Sequence, residues 1–176
     1  MKLFFMRHGQ TNYNVAGLCN DDPSDAVHLT ELGIQQAEHA AELLRHISLR
    51  RIYISQLPRT QQTAAIVNQF HNVPLVISAA INDIRSGYNG RPVRDYEAAI
   101  AHDPWHVRPS DGETLQEHQA RVLDFIVGLT AVPEHPMLVV AHEETMRVVA
   151  AHFRRLDNRA LLGLSFRNCE LLEFEA

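Results

Sequence analysis

With 176 residues, 45% of them hydrophobic and 21% charged, the chain has the balance of one folded domain with a substantial core, and disordered or fibrous readings fall away. A net charge of −5, with no block of Lys or Arg beyond "RHISLRR", excludes a nucleic-acid binder that works by neutralising phosphates. No apolar run approaches bilayer length and "KLFF" is too short for a signal-peptide core, so no membrane partner and cytoplasmic residence are expected.

The elements read in order along the chain. "KLFFM" at 2–6 is a strand that stops abruptly at Arg7-His8-Gly9. "LTELGIQQAEHAAELLRHI" has helical period, with Thr30 as N-cap and Leu32, Ala37, Ala40, Leu44 and Ile47 along one stripe. "RIYIS" at 51–55 is a second strand, followed by a helix whose first turn suits Pro58. "PLVIS" at 74–78 and "MLVVA" at 137–141 are the third and fourth strands; like the second, they lack alternation, as strands buried on both faces do.

Residues from about 80 to 113, rich in Gly, Pro, Asp and Arg, break the rhythm as a lid-like insertion with a short helix near "VRDYEAAIAH". Trp105 within it reads equally as a lid residue or an anchor. A helix over "ETLQEHQARVLDFIVGLTAV" sets Leu115, Val122, Phe125, Ile126 and Leu129 on one side, "EETMRVVAAHF" continues directly from the fourth strand, and "ELLEF" at 170–174 closes the chain. Alternating strands and helices predict an α/β fold: a single domain over 1–176, a three-layer αβα sandwich around a mostly parallel sheet.

Open α/β sheets bind ligands beyond the carboxyl ends of their strands. Arg7 and His8 follow the first strand, Arg59 opens the helix after the second, and His142 follows the fourth. Two guanidiniums and two imidazoles beside helix N-termini make an anion site, and phosphate suits it best because it offers enough oxygens for all of them. Gly9 is expected to let the backbone approach the ligand, and Asn14 to add a hydrogen bond. Flanking cations disfavour imidazolium at His8, which leaves a ring nitrogen free to attack phosphorus. The leaving oxygen then needs a proton; Asp83, after the third strand, and Glu113, in "DGET", are both candidates. Cys19 and Cys169 match no metal or redox spacing and are expected as reduced thiols. His102 and His106 have the spacing of a helical metal pair, but Pro104 interrupts the helix, so no metal site is expected.

Taken together, "RHGQTNYN", "LTELGIQQA", "SQLPRTQQTA", "GETLQEHQARV" and "VVAHEETMR" give a chain that resembles the histidine phosphatase superfamily, the phosphoglycerate mutase-like proteins, over nearly its whole length. The resemblance implies a phosphoglycerate mutase-like fold and a phosphomonoesterase of the histidine acid phosphatase type, acting on a small phosphorylated substrate. It implies His8 as the phosphorylated nucleophile, Arg7, Arg59 and His142 as holders of the phosphoryl group, Asn14 assisting, and no metal or organic cofactor. A phosphomutase and a catalytically weakened phospho-ligand binding protein are the alternatives; the short chain favours hydrolysis, because mutases of the family typically carry longer insertions. A homodimer is compatible with all of these.

Two departures stand out. Asp83 in "NDIRSGYNG" occupies the place where the family usually has glutamate, and Glu143-Glu144 follow His142 where members commonly have two glycines. Beside a phosphate pocket two glutamates would weaken anion binding or select a cationic substrate. As residues of a helix's first turn they stabilise it by about 0.3 to 1 kcal/mol, which is the preferred reading.

Overall fold

The first apolar run buries both of its faces, and the sheet is built around it. The computed structural model describes residues 1–175. In chain order it contains β1 (Lys2–Arg7), α1 (Asn12–Ala16), α2 (Glu31–Leu44), β2 (Arg51–Ile54), α3 (Pro58–Asn68) and β3 (Leu75–Ile77). A 3-10 turn at Ala79–Ile81 leads to α4 (Val93–Ile100), α5 (Leu115–Thr130), β4 (Met137–Ala141), α6 (Glu143–Arg154), α7 (Asn158–Leu162) and β5 (Leu171–Glu175). Among the described residues no helix is long and apolar enough to cross a membrane.

The strand order is β3-β2-β4-β1-β5. Four strands run parallel, and β5 alone lies antiparallel along β1. Successive side chains of β1 point to opposite faces: Leu3 and Phe5 join Val139, Ile126 and Val149 in one cluster, while Phe4 and Met6 join Val140, Ala41 and Leu44 in the other. Helices α2 and α3 supply the second cluster, α5 and α6 the first. This is the expected αβα arrangement, with the central strands β1 and β4 inside it.

Two local expectations change. Strand β3 is not buried on both faces, because it is the sheet's edge: it has one neighbour, and Leu75 and Ile77 remain 39% and 58% exposed. Leu32 is exposed, and the buried face of α2 runs through Gly33, Ala37, Ala40, Ala41 and Leu44 instead. The side chain of Thr30 accepts the Gly33 amide as expected of an N-cap. The α2 face is rotated because Gly33 must sit against the loop after β1. A Cβ there would meet the Gln10 carbonyl oxygen at 2.1 Å, and a Cβ on Gly9 would meet the Gly33 carbonyl oxygen at 2.5 Å. Gly9 therefore makes room for a helix, not for a ligand, which corrects its expected role.

The segment over 80–113 lies against the loop after α1. The Cys19 amide donates to Arg91 O at 2.9 Å and the Val93 amide to Gly17 O at 2.9 Å. Trp105 packs, partly buried, against the cluster that holds Ile126 and Val149; of its two readings, the anchor holds.

Candidate active site

Strand register brings the chemistry together. Arg7 of β1 stands opposite Ala141 of β4, so the next residues, His8 and His142, emerge side by side with ring centroids 5.3 Å apart. Arg59, the second residue of α3, reaches them from the neighbouring β2 connection, and Asp83 arrives from the segment after β3. Arg7, His8, Asn14, Arg59, Asp83, Glu143 and Glu144 all line one cavity of about 380 Å³.

His8 is 3% exposed, and its tautomer follows from its partners. Nδ1 lies 2.7 Å from the Gly9 carbonyl oxygen, which can only accept, so Nδ1 carries the proton. Nε2 is left with its lone pair, which accepts from Arg59 Nε at 3.0 Å. Burial, then the Arg59 guanidinium, holds the His8 pKa well below the usual imidazole range. A neutral ring with an available Nε2 is the nucleophilic form.

Arg59 is held from every side. Nη1 donates to Asn20 Oδ1, Nη2 donates to Asn20 O at 3.0 Å, and Nη2 also donates to Asp83 Oδ2 at 2.7 Å. One guanidinium thus links the imidazole to the carboxylate. Arg7 is anchored through Nη1 alone, which donates to Phe166 O at 2.5 Å and pairs with Glu143 Oε2 at 2.7 Å. Its Nε is buried without a hydrogen-bond partner. His142 is fully buried; Nε2 is 2.9 Å from Ser55 Oγ, while Nδ1 has no hydrogen-bond partner and lies 3.5 Å from Asp83 Oδ2. A buried polar nitrogen left unpaired costs about 1 to 3 kcal/mol. Two of them lie in this group, on Arg7 and His142, and an anion with several oxygens would satisfy both.

Asn14 spends its Oδ1 on the α1 cap, accepting the Thr11 amide at 3.0 Å. Its amide NH2 is what it has to offer a ligand. Asp83 accepts from Arg59 through Oδ2 and from the Ile84 amide through Oδ1 at 3.0 Å. Burial nevertheless raises its pKa, the largest influence on it, against the pull of Arg59.

Glu113 does not join this group and does not line the cavity. Its Oε1 pairs with Arg121 and accepts the Arg85 amide at 3.1 Å, while Arg121 Nη1 donates to Ala80 O at 2.9 Å and Asn82 O at 3.1 Å. The pair is a bracket that fastens the Asp83 segment to α5, so Glu113 is withdrawn as proton donor and substrate ligand. Burial raises its pKa, but His118 and Arg121 outweigh that and bring it down to about 2. Its ionised form therefore stabilises the fold above pH ~4.5, and that contribution, on the order of 3 kcal/mol, is lost as pH falls towards ~2. Glu113→Gln is expected to be less stable at neutral pH and to show a flatter loss of stability across that window. Urea unfolding at a series of pH values reads both.

The sequence reading passed over Asn20, Ser55, Tyr96 and Arg147. Asn20 and Ser55 are ordinary loop polar residues until folding sets them against Arg59 and His142. Tyr96 and Arg147 sit on helix faces turned to the cavity. The Glu143 and Glu144 pair does occupy the first turn of α6, but it also lines the cavity, with Glu143 bridging Arg7 to Arg147 at 2.7 and 3.1 Å.

Comparison with known proteins gives the family and the fold. A family model described as histidine phosphatase superfamily (branch 1) matches residues 3–176. The chain is 34% identical over 170 residues to an adenosylcobalamin/alpha-ribazole phosphatase of Salmonella typhimurium, covering 92% of this chain and 83% of that protein. It is 27% identical to a 2,3-bisphosphoglycerate-dependent phosphoglycerate mutase of Thermoplasma acidophilum, covering 94% and 82%. The crystal structure of the alpha-ribazole phosphatase from Shigella flexneri superposes with a TM-score of 0.89 at 26% identity, covering 99% of this chain and 90% of that one.

Proposed function

We propose that this chain, which belongs to branch 1 of the histidine phosphatase superfamily, is a metal-independent phosphomonoesterase that works through a phosphohistidine on His8. The observation that carries the reading is the unprotonated Nε2 of His8, in a ring whose Nδ1 proton is held by the Gly9 carbonyl and whose Nε2 faces the Arg59 guanidinium. The substrate phosphate takes the free edge of Arg7, donors of Arg59, His142 Nδ1 and the Asn14 amide. Charge that builds up on its oxygens meets groups already oriented towards it.

The His8 Nε2 lone pair attacks phosphorus, and the P–N bond forms as the P–O bond to the leaving group breaks. Asp83 gives its proton to the departing oxygen. Water then attacks the phosphohistidine and passes a proton to Asp83; the P–N electrons return to Nε2 and inorganic phosphate leaves. Arg59 bonds both His8 and Asp83, which supports pairing nucleophile and acid in one step.

Hydrolysis is favoured over phosphoryl transfer between glycerate positions by the rest of the cavity. Beyond the phosphate groups its walls include Leu18, Val27, Val93, Tyr96, Ile100 and Leu162, which suit an apolar leaving group. The one further cation, Arg147, is already shared by Glu143 and Glu144 at 3.1 and 3.8 Å, so a substrate carboxylate finds no free partner. Relatives named alpha-ribazole phosphatases point the same way.

Purified protein is expected to hydrolyse p-nitrophenyl phosphate equally well with and without a chelator. Turnover that needs added metal overturns the mechanism, and a folded protein with no turnover overturns the enzyme reading in favour of a phospho-ligand binder. Asp83→Asn is expected to lose at least about tenfold more on phenyl phosphate than on p-nitrophenyl phosphate, because p-nitrophenolate departs almost without a proton. Equal losses on the two esters would take the acid's role from Asp83. A screen of phosphorylated metabolites then identifies the leaving group.

A further inference from the structure

Ser55 is fully buried and takes no part in the steps above, yet its hydroxyl meets the imidazole of His142. Ile54 of β2 stands opposite Val140 of β4, so Ser55, which follows β2, lies beside the chain as it enters His142. The Ser55 Oγ is 2.9 Å from His142 Nε2 and 2.8 Å from Thr60 Oγ1, and it accepts the Leu57 amide at 3.2 Å. One hydroxyl hydrogen thus has two neighbours to choose between. Where it points decides which nitrogen of a neutral His142 carries the proton.

If the hydrogen points to Thr60, Ser55 can only accept from His142, whose proton then sits on Nε2 and whose Nδ1 is a bare lone pair. That lone pair would face Asp83 Oδ2 at 3.5 Å, an oxygen that already accepts from Arg59, and the oxygens of a bound phosphate. Acceptor would stand against acceptor. If the hydrogen points to His142, Nε2 accepts it and Nδ1 carries its own hydrogen towards those same oxygens. We propose that Ser55 is a positioning residue that donates to His142 Nε2 and so holds the neutral ring in its Nδ1–H form, ready to donate to the phosphoryl group. The proposal rests on the phosphatase reading.

Thr60 completes the arrangement by giving its hydroxyl hydrogen to Ser55. The carbonyl that competes for that hydrogen, Leu57 O at 3.0 Å, already accepts the Thr60 amide at 3.1 Å. The other competitor, Ser55 O, is farther away at 3.3 Å. The hydrogens then run one way, from Thr60 to Ser55 to His142 to phosphate, and each hydroxyl donates once. Thr60, Ser55 and His142 are all fully buried, where low-dielectric surroundings strengthen such a chain.

Neutrality is what gives Ser55 this influence, because an imidazolium carries both protons whatever its partners. Burial, then Arg59 and His8, holds the His142 pKa well below the usual imidazole range. A neutral donor also suits the nucleophile: a charged His142 ring, with its centroid 5.3 Å from that of His8, would add another cation beside it.

Nitrogen-15 spectra of the full chain, recorded without ligand at neutral pH, distinguish the two tautomers, and His142→Gln identifies the ring's signals. Wild type is expected to show a protonated Nδ1 and a bare Nε2. Ser55→Ala should lose that preference, so that an Nε2–H form appears. Its kcat on p-nitrophenyl phosphate should fall at least about tenfold with little change in KM, because the donor is needed most as charge builds up on the phosphoryl oxygens. Thr60→Val leaves Ser55 its own hydrogen, so it should keep the Nδ1–H form and lose less rate than Ser55→Ala. A wild-type ring protonated on Nε2 overturns the proposal, and does so even if Ser55→Ala fails to fold. An unchanged tautomer in Ser55→Ala also overturns it, as do equal rate losses in the two variants, which mark a purely structural role. Wild-type protein that hydrolyses no phosphate ester brings down the phosphatase reading; active protein with Nε2 protonated brings down the role of Ser55 alone.

Discussion

His8→Ala is expected to lower turnover of p-nitrophenyl phosphate by at least about 10⁴-fold, the scale on which removal of an enzyme's nucleophile acts. The arginines, His142 and Asp83 all remain, so binding survives better than rate: inorganic phosphate should still protect the variant against thermal unfolding. The thiol in the cavity is a poor substitute. Cys19 also lines it, but burial raises its thiol to about 11, so the thiolate is scarce at neutral pH. The fold should tolerate the change, since the ring's hydrogen bonds are to the adjacent Gly9 carbonyl and to Arg59, which keeps its Asn20 and Asp83 partners. Acid-labile phosphate on the intact protein, present in wild type after quenching and absent from the variant, checks the intermediate. A variant that still accumulates it would move the nucleophile elsewhere.

Much of this protein is legible from its residues because the local signals and the global fold agree. "KLFFM" and "MLVVA" are too apolar to face water on either side, and they become the adjacent central strands β1 and β4. Thr30 caps α2 and Pro58 begins α3 as their chemistry requires. Strand position explains the misreading of β3: three branched aliphatic residues look alike at an edge and in the middle of a sheet, and only the count of neighbours distinguishes them.

At the site, Arg7, His8, Arg59 and His142 were readable because strand ends of a parallel sheet converge. Gly9 and Glu113 were misread because their partners lie far along the chain. Gly9 answers to Gly33 across a helix packing contact, and Glu113 to Arg121 and the Arg85 amide; neither spacing in sequence hints at the contact.

Arg59 is where charge and geometry can be separated. Lysine at this position keeps a cation but cannot donate from Nε and both Nη atoms at once, as Arg59 does to His8, Asn20 and Asp83. Loss of a single preorganised donor costs about 10²- to 10³-fold in rate, so Arg59→Lys should cost kcat/KM at least about 10³-fold. Arg59→Met goes further and removes the charge, leaving Asp83 and the orphaned Asn20 acceptors behind; breaking a buried pair this way destabilises by about 3 to 5 kcal/mol, visible as a lower midpoint in urea. The pH profiles should differ as well. Burial is the first cause of the depressed His8 pKa and Arg59 the second, so Arg59→Met should move the acid limb of kcat/KM upwards, while Arg59→Lys leaves it near the wild-type position. An Arg59→Met limb that does not move would mean that burial alone keeps His8 neutral, and that Arg59 serves only to hold phosphate and Asp83.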